Sequence, residues 1–118
     1  MTTTKPRNLN EAERSLLEYL LAQWRIVGAR ELEAQVDSVR VVGGLPTLLD
    51  LQVSGNAAKV DVADGPIPVR AFVIGPNGEV EGEILVWVKD GYLSGIEYAW
   101  YTDEAPSGIP STDRIRVE

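Results

Sequence analysis

The sequence predicts an α+β fold: an N-terminal amphipathic helix, with a short second helix, packed on an antiparallel sheet of four or five strands. Three observations carry this. Apolar residues recur at helical spacing in the first third of the chain, the period then changes to two, and turn-forming pairs punctuate the remainder. The chain has 118 residues, enough for one domain (1–118) and too few for two ordinary ones.

Each element follows from its residues. Residues 1–8 read as a flexible lead. Asn10 and Glu13 stand at the N-cap and N3 positions of a capping box. Beyond them Leu16, Leu17, Leu20, Leu21 and Trp24 form one face of a helix, and Glu11, Glu13, Arg14 and Glu18 the other. Gly28 is a natural stop. A second helical turn is expected from Ala29 to Val36, with Leu32 and Val36 four residues apart. From Val39 the alternation is that of strands: Val39 to Val41, broken by Gly43, Gly44 and Pro46, then Leu49, Leu51 and Val53 against Asp50 and Gln52. Ser54 to Pro68 reads as the longest loop. Val69 to Ile74, Glu83 to Lys89 and Tyr92 to Tyr101 make three more strands, joined by Gly75-Pro76-Asn77-Gly78 and by Asp90-Gly91, a two-residue hairpin signal. The tail, 102–118, carries Pro106, Gly108 and Pro110 and is expected to be extended and irregular.

Composition narrows the function. The net charge is −7 and the isoelectric point near 4.6. Such a surface repels phosphates, which argues against nucleic-acid binding and against anionic membranes. It suits either plain solubility or a partner with a basic face, such as a nuclease. No apolar run reaches the roughly 18 residues of a membrane span, and no signal peptide is legible at the N-terminus. The absence of cysteine fits a reducing, cytoplasmic setting and removes disulfides and thiolate metal sites. With no histidine either, the usual general base near neutral pH and the normal ligands of zinc, haem and iron–sulfur centres are missing. No catalytic residue, metal ligand set or cofactor is therefore assigned. Asp61 and Asp64 before Gly65 only faintly resemble a calcium loop, because the alternating ligands and closing glutamate are absent.

The last hairpin gives the candidate site. A type I′ turn at Asp90-Gly91 pairs Lys89 with Tyr92, Trp87 with Ser94 and Leu85 with Ile96. One face then carries Leu85, Trp87, Ile96, Tyr98 and Trp100, and the other Ile84, Val86, Val88, Leu93 and Ala99. One helix covers one apolar face. The aromatic one needs the loop, the tail or a second copy of the chain. Glu83, Trp87, Tyr98 and Trp100 are the candidate binding residues, with Glu83 opposite Tyr98.

Three stretches carry a resemblance: "LNEAERSLLEYLL" (Leu9 to Leu21), "VRVVGGLPTLLDLQV" (Val39 to Val53) and "ILVWVKDGYLSGIEYAWY" (Ile84 to Tyr101) followed by "DEAP". Together they resemble a family of small uncharacterised actinobacterial proteins, whose members often carry a Cys-rich CGCGCP-type motif before the second strand. Here that place reads "VVGGLP", Val41 to Pro46, so a metal or redox role of those cysteines does not extend to this chain. The resemblance implies the order of segments and a bacterial cytoplasm, and no activity. The expected function is a non-catalytic interaction domain that self-associates through the aromatic face, one form of it an acidic inhibitor or immunity-type protein. The competing expectation is a small-ligand protein or carboxylate-dependent enzyme with an aromatic pocket.

Overall fold

A computed structural model describes residues 5–118. The elements run β1 (Arg7–Asn8), α1 (Glu11–Gln23), α2 (Ala29–Gln35), β2 (Val39–Leu45), β3 (Leu48–Val53), β4 (Gly65–Pro66), β5 (Ala71–Ile74), β6 (Val80–Lys89), β7 (Tyr92–Trp100) and β8 (Ile115–Val117). Single 3-10 turns at Val36–Ser38 and Thr112–Arg114 precede β2 and β8.

Helix α1 starts where its capping box requires. Asn10 Oδ1 accepts from the Glu13 N–H at 2.8 Å, and Glu13 Oε1 accepts from the Asn10 N–H at 2.9 Å. Both Glu13 oxygens also receive the Arg7 guanidinium, at 2.8 and 2.9 Å, so the cap fastens β1 to the helix. Burial pushes the Glu13 carboxyl up, but the Arg7 guanidinium and the Asn10 N–H outweigh it and hold it below the usual carboxylate range. Leu16, Leu17, Leu20 and Leu21 are buried beneath the helix, joined by Leu32 and Val36.

All strand pairings are antiparallel, in the order β1-β2-β3-β7-β6-β5-β8, with β4 beside the far end of β6. Among the described residues the sheet thus has eight strands, where four or five were expected. The three extra strands, β1, β4 and β8, fall in the segments read as flexible lead, loop and irregular tail. Strands of two or three residues leave no periodicity to read, because partners and not sequence define them. The expectation for residues 1–4 lies outside the described residues.

Two further boundaries differ. Gly43 and Gly44 do not break the chain but continue β2 through a register shift at Val42. Gly44 takes φ 106, and a Cβ there would sit 2.0 Å from the Leu48 carbonyl oxygen, so only glycine fits. The turn follows at Pro46 and Thr47.

At Asp90 and Gly91 both residues have positive φ, 53° and 83°, as the two-residue turn requires. Lys89 pairs with Tyr92 and Val88 with Leu93, but Trp87 then pairs with Gly95. Ser94 is an extra residue in β7, a bulge that shifts every later pair by one. Buried Gln35 clamps this turn from α2: its amide donates to the Ala58 and Gly91 carbonyls, each at 2.9 Å, and its carbonyl accepts from the Leu93 N–H at 3.0 Å.

One face of the sheet carries the core. Val41, Leu49, Val73, Ile84, Val86, Leu93, Ile96 and Tyr98 meet the helices there. Val60 and Ile67 from the long loop and Ile109 from the tail join the same side. The chain measures 43 × 40 × 23 Å, and its thin dimension is one layer of helix on one of sheet. Among the described residues no helix is long and apolar enough to cross a membrane.

Candidate functional site

The helix-free face of the sheet is assembled in three rows by the strand register. Asp50, Gly95, Trp87 and Pro66 stand side by side across β3, β7, β6 and β4. Leu48, Glu97 and Leu85 form the next row, and Ala99, Glu83, Phe72 and Arg116 the third. Leu85, Trp87, Phe72 and Ala99 are only half-buried, and Leu48 is 36% exposed. Among the described residues the helices, Val60, Ile67 and Ile109 pack on the opposite side, while Arg70 and Tyr101 reach this face with their side chains.

The Ser94 bulge decides which residues reach this face. Leu93 and Ile96 both point to the core although they are three positions apart, an odd spacing that an unbroken strand forbids. The expected aromatic set is therefore divided. Glu83 and Trp87 share the open face, four residues apart on β6. Tyr98 is 3% exposed beneath the helix layer, and Trp100 pairs with Gly82 on that same side. Glu83 faces Ala99, not Tyr98, and its carboxylate accepts from the Tyr101 hydroxyl at 2.6 Å. Glu97, Leu48 and Phe72 join the face in place of Tyr98 and Trp100. The signal for this was Gly95, since an isolated glycine inside a strand marks a bulge or a close approach. Here it marks both: the Trp87 side chain lies over the bare backbone, 3.6 Å from where a Gly95 Cβ would be.

Trp87 is held in place. Its indole N–H donates to Glu97 Oε1 at 3.1 Å, and it lines a shallow depression of about 440 Å³ with Leu48, Asp50, Asp64, Lys89, Gly95 and Glu97. Toward β8 the Arg70 guanidinium sits 5.2 Å above the Phe72 ring. Among the described residues, Asp50, Glu83 and Glu97 have no Lys or Arg partner.

Charge of both signs is spread over the molecule. Asp50, Asp64, Glu83, Glu97 and, beside Arg70 at the end of β8, Glu118 lie on or rim this face, as do Arg40, Arg70, Lys89 and Arg116. Five acids against four bases give −1 here. Of the total of 18 acids and 11 bases, 13 and 7 remain, so the rest of the surface carries −6. The face is a small part of the 7094 Å² surface, so −1 is no less than its share of the charge.

On the helix side, burial pushes the Tyr98 phenol up, with Arg114 and Glu81 nearby. Arg114 donates to Glu81 at 2.6 Å, and this pair ties the turn before β8 to the start of β6. Asp64 accepts from the Asp90 N–H at 2.9 Å and so braces the hairpin turn. Among the described residues no three His, Cys, Asp or Glu side chains come together as a metal site.

No protein-family model matches the chain, and no curated protein or solved structure matches it.

Proposed function

We propose that the protein is a non-catalytic interaction module whose docking surface is the helix-free face of the sheet. One observation carries this: a half-buried apolar stripe of Leu85, Trp87 and Phe72 on the side of the sheet away from both helices. Sheets with one solvated face ordinarily alternate apolar-in and polar-out, and an aromatic and aliphatic outer face departs from that pattern. Aromatic residues are enriched where proteins meet, because they bury much area at little entropic cost. The open, shallow shape fits a macromolecular partner better than an enclosed reaction. An acidic inhibitor of a basic protein finds its support in the net charge of −7 over the whole surface.

Site-specific photo-crosslinking in living cells tests the proposal. A photoreactive residue in place of Leu48 should give protein adducts, and one in place of Glu31 on α2 should not. Equal yields at the two positions, or none at Leu48, refute it. A second reading, a small-ligand protein, rests on the depression beside Trp87. It requires a small organic cation to shift the Trp87 indole resonance saturably, with no protein adduct at Leu48.

A further inference from the structure

We propose that a second site, where Tyr98 and Arg114 meet the start of the tail, binds an ammonium group with an adjacent carbonyl. That is the chemistry of a free amino acid and of the amino end of a peptide. The site is separate from the interaction face and does not depend on that reading. It is a cavity of about 540 Å³ lined by Glu81, Tyr98, Asp103, Glu104 and Arg114.

The strands are adapted to deliver these side chains. Val73 pairs with Gly82 and Ile74 with Val80, so Glu81 is an extra residue of β6. A bulge of this kind re-aims its side chain, and the Glu81 carboxylate meets Arg114 at 2.6 Å. Gly82 leaves room for the Tyr98 ring, which lies 2.6 Å from where a Cβ would be. Arg114 is held by the Ile74 carbonyl at 3.4 Å as well as by Glu81, and these use only part of its fork of N–H groups.

Tyr98 is what points to a ligand. It is 3% exposed and lines the cavity, and a buried phenol ordinarily finds a partner for its proton. The Arg114 guanidinium lies beside the phenol oxygen, but the Tyr98 O–H donates to no acceptor among the described residues. The floor of the cavity thus offers donors, from Tyr98 and Arg114, to an acceptor atom. The rim offers the opposite. Asp103 and Glu104 are exposed and pair with no Lys or Arg among the described residues. Thr102 Oγ1 donates to the Glu104 carbonyl at 2.9 Å and folds this rim into a turn. Three carboxylates against one guanidinium give −2, which repels a simple anion. A bare metal ion would leave the donors idle, and among the described residues no three acids converge on one. A carbonyl oxygen on the floor with an ammonium at the rim satisfies both halves.

Titration of the full chain with alaninamide, followed by nuclear magnetic resonance over about 0.1–50 mM, tests this. The Tyr98 and Arg114 signals should shift saturably. Acetamide, which lacks the ammonium, and methylammonium, which lacks the carbonyl, should each bind at least about tenfold more weakly. Tyr98→Phe removes only the hydroxyl and should weaken alaninamide about 5–10-fold. Circular dichroism checks that the variant is folded. If it is not, Asp103→Asn with Glu104→Gln on the exposed rim replaces it and should weaken binding likewise. Alanine and trialanine separate the two sources: tighter binding of the tripeptide assigns the site to peptide ends, and tighter binding of alanine to free amino acids. No saturable shift with alaninamide, alanine or trialanine overturns the inference. So does a folded variant that binds alaninamide like the wild type, or either single-function fragment binding as tightly as alaninamide.

Discussion

Replacing Gln35 with leucine probes the clamp that sets the hairpin in place. Gln35 is 1% exposed, and its side chain makes three hydrogen bonds, to the carbonyls of Ala58 and Gly91 and from the Leu93 N–H. The three losses are unequal. Leu93 is 1% exposed, so its stranded N–H bears the full cost of desolvation, about 1–3 kcal/mol. The Gly91 carbonyl keeps the Val60 N–H at 2.9 Å, and Ala58 is exposed, so water replaces its partner. Each of these two bonds is worth about 0.5–1.5 kcal/mol net. Leucine is close to glutamine in size, so no large cavity opens to add to the loss. The expected destabilisation is about 3–4 kcal/mol, a large part of the 5–15 kcal/mol typical of a domain. Equilibrium urea unfolding with tryptophan fluorescence measures it, and hydrogen exchange at Leu93 should accelerate in step. A loss below about 1 kcal/mol would mean that the buried amide contributes no more than an ordinary exposed one and would refute this view of the turn.

Gly91→Val places a β-branched side chain at φ 83° with its Cβ 2.5 Å from the Val60 carbonyl oxygen. It should cost about 2–4 kcal/mol in the same unfolding experiment. At Gly82 an added Cβ would lie 2.6 Å from the Tyr98 ring and 2.5 Å from the Ala99 carbonyl oxygen. Gly82→Ala should therefore destabilise by about 1–3 kcal/mol and blueshift the tyrosine absorbance as Tyr98 is displaced toward water. For Glu13 the sign follows from its lowered pKa. Its stabilising contribution is complete above the unfolded carboxylate value and is lost as pH falls through the folded one. Glu13→Gln should cost about 1 kcal/mol at neutral pH and flatten the acid limb of thermal stability, and an unchanged acid limb counts against the Arg7 contact.

Much of the fold is legible in the residues, and the division follows range. Helix α1, its Asn10–Glu13 box and the Asp90-Gly91 turn depend on interactions within four residues, so local spacing reveals them. Strands β1, β4 and β8 exist only because β2, β6 and β5 offer partners, and nothing local marks them. Gly43 and Gly44 show the converse, turn formers absorbed into a strand because β3 pairs with them. The site suffered most from one residue. Alternation carried unbroken through Ser94 puts Tyr98 and Trp100 beside Trp87, and the bulge reverses both. The apolar spacing from Leu93 to Ile96, with Gly95 between, held that information. A covering helix explains why Ile84, Val86, Leu93, Ile96 and Tyr98 are apolar. It does not explain Leu85, Trp87 and Phe72, and this surplus on the outer face is what points to a partner.

The most direct test of that outer face as a meeting surface is photo-crosslinking scanned in living cells over both sides of the molecule. The account predicts protein adducts from Leu48, Phe72 and Glu97 on the outer face and none from Glu31 and Ala34 on α2. Equal yields on the two sides, or no adduct from the outer face, would contradict it.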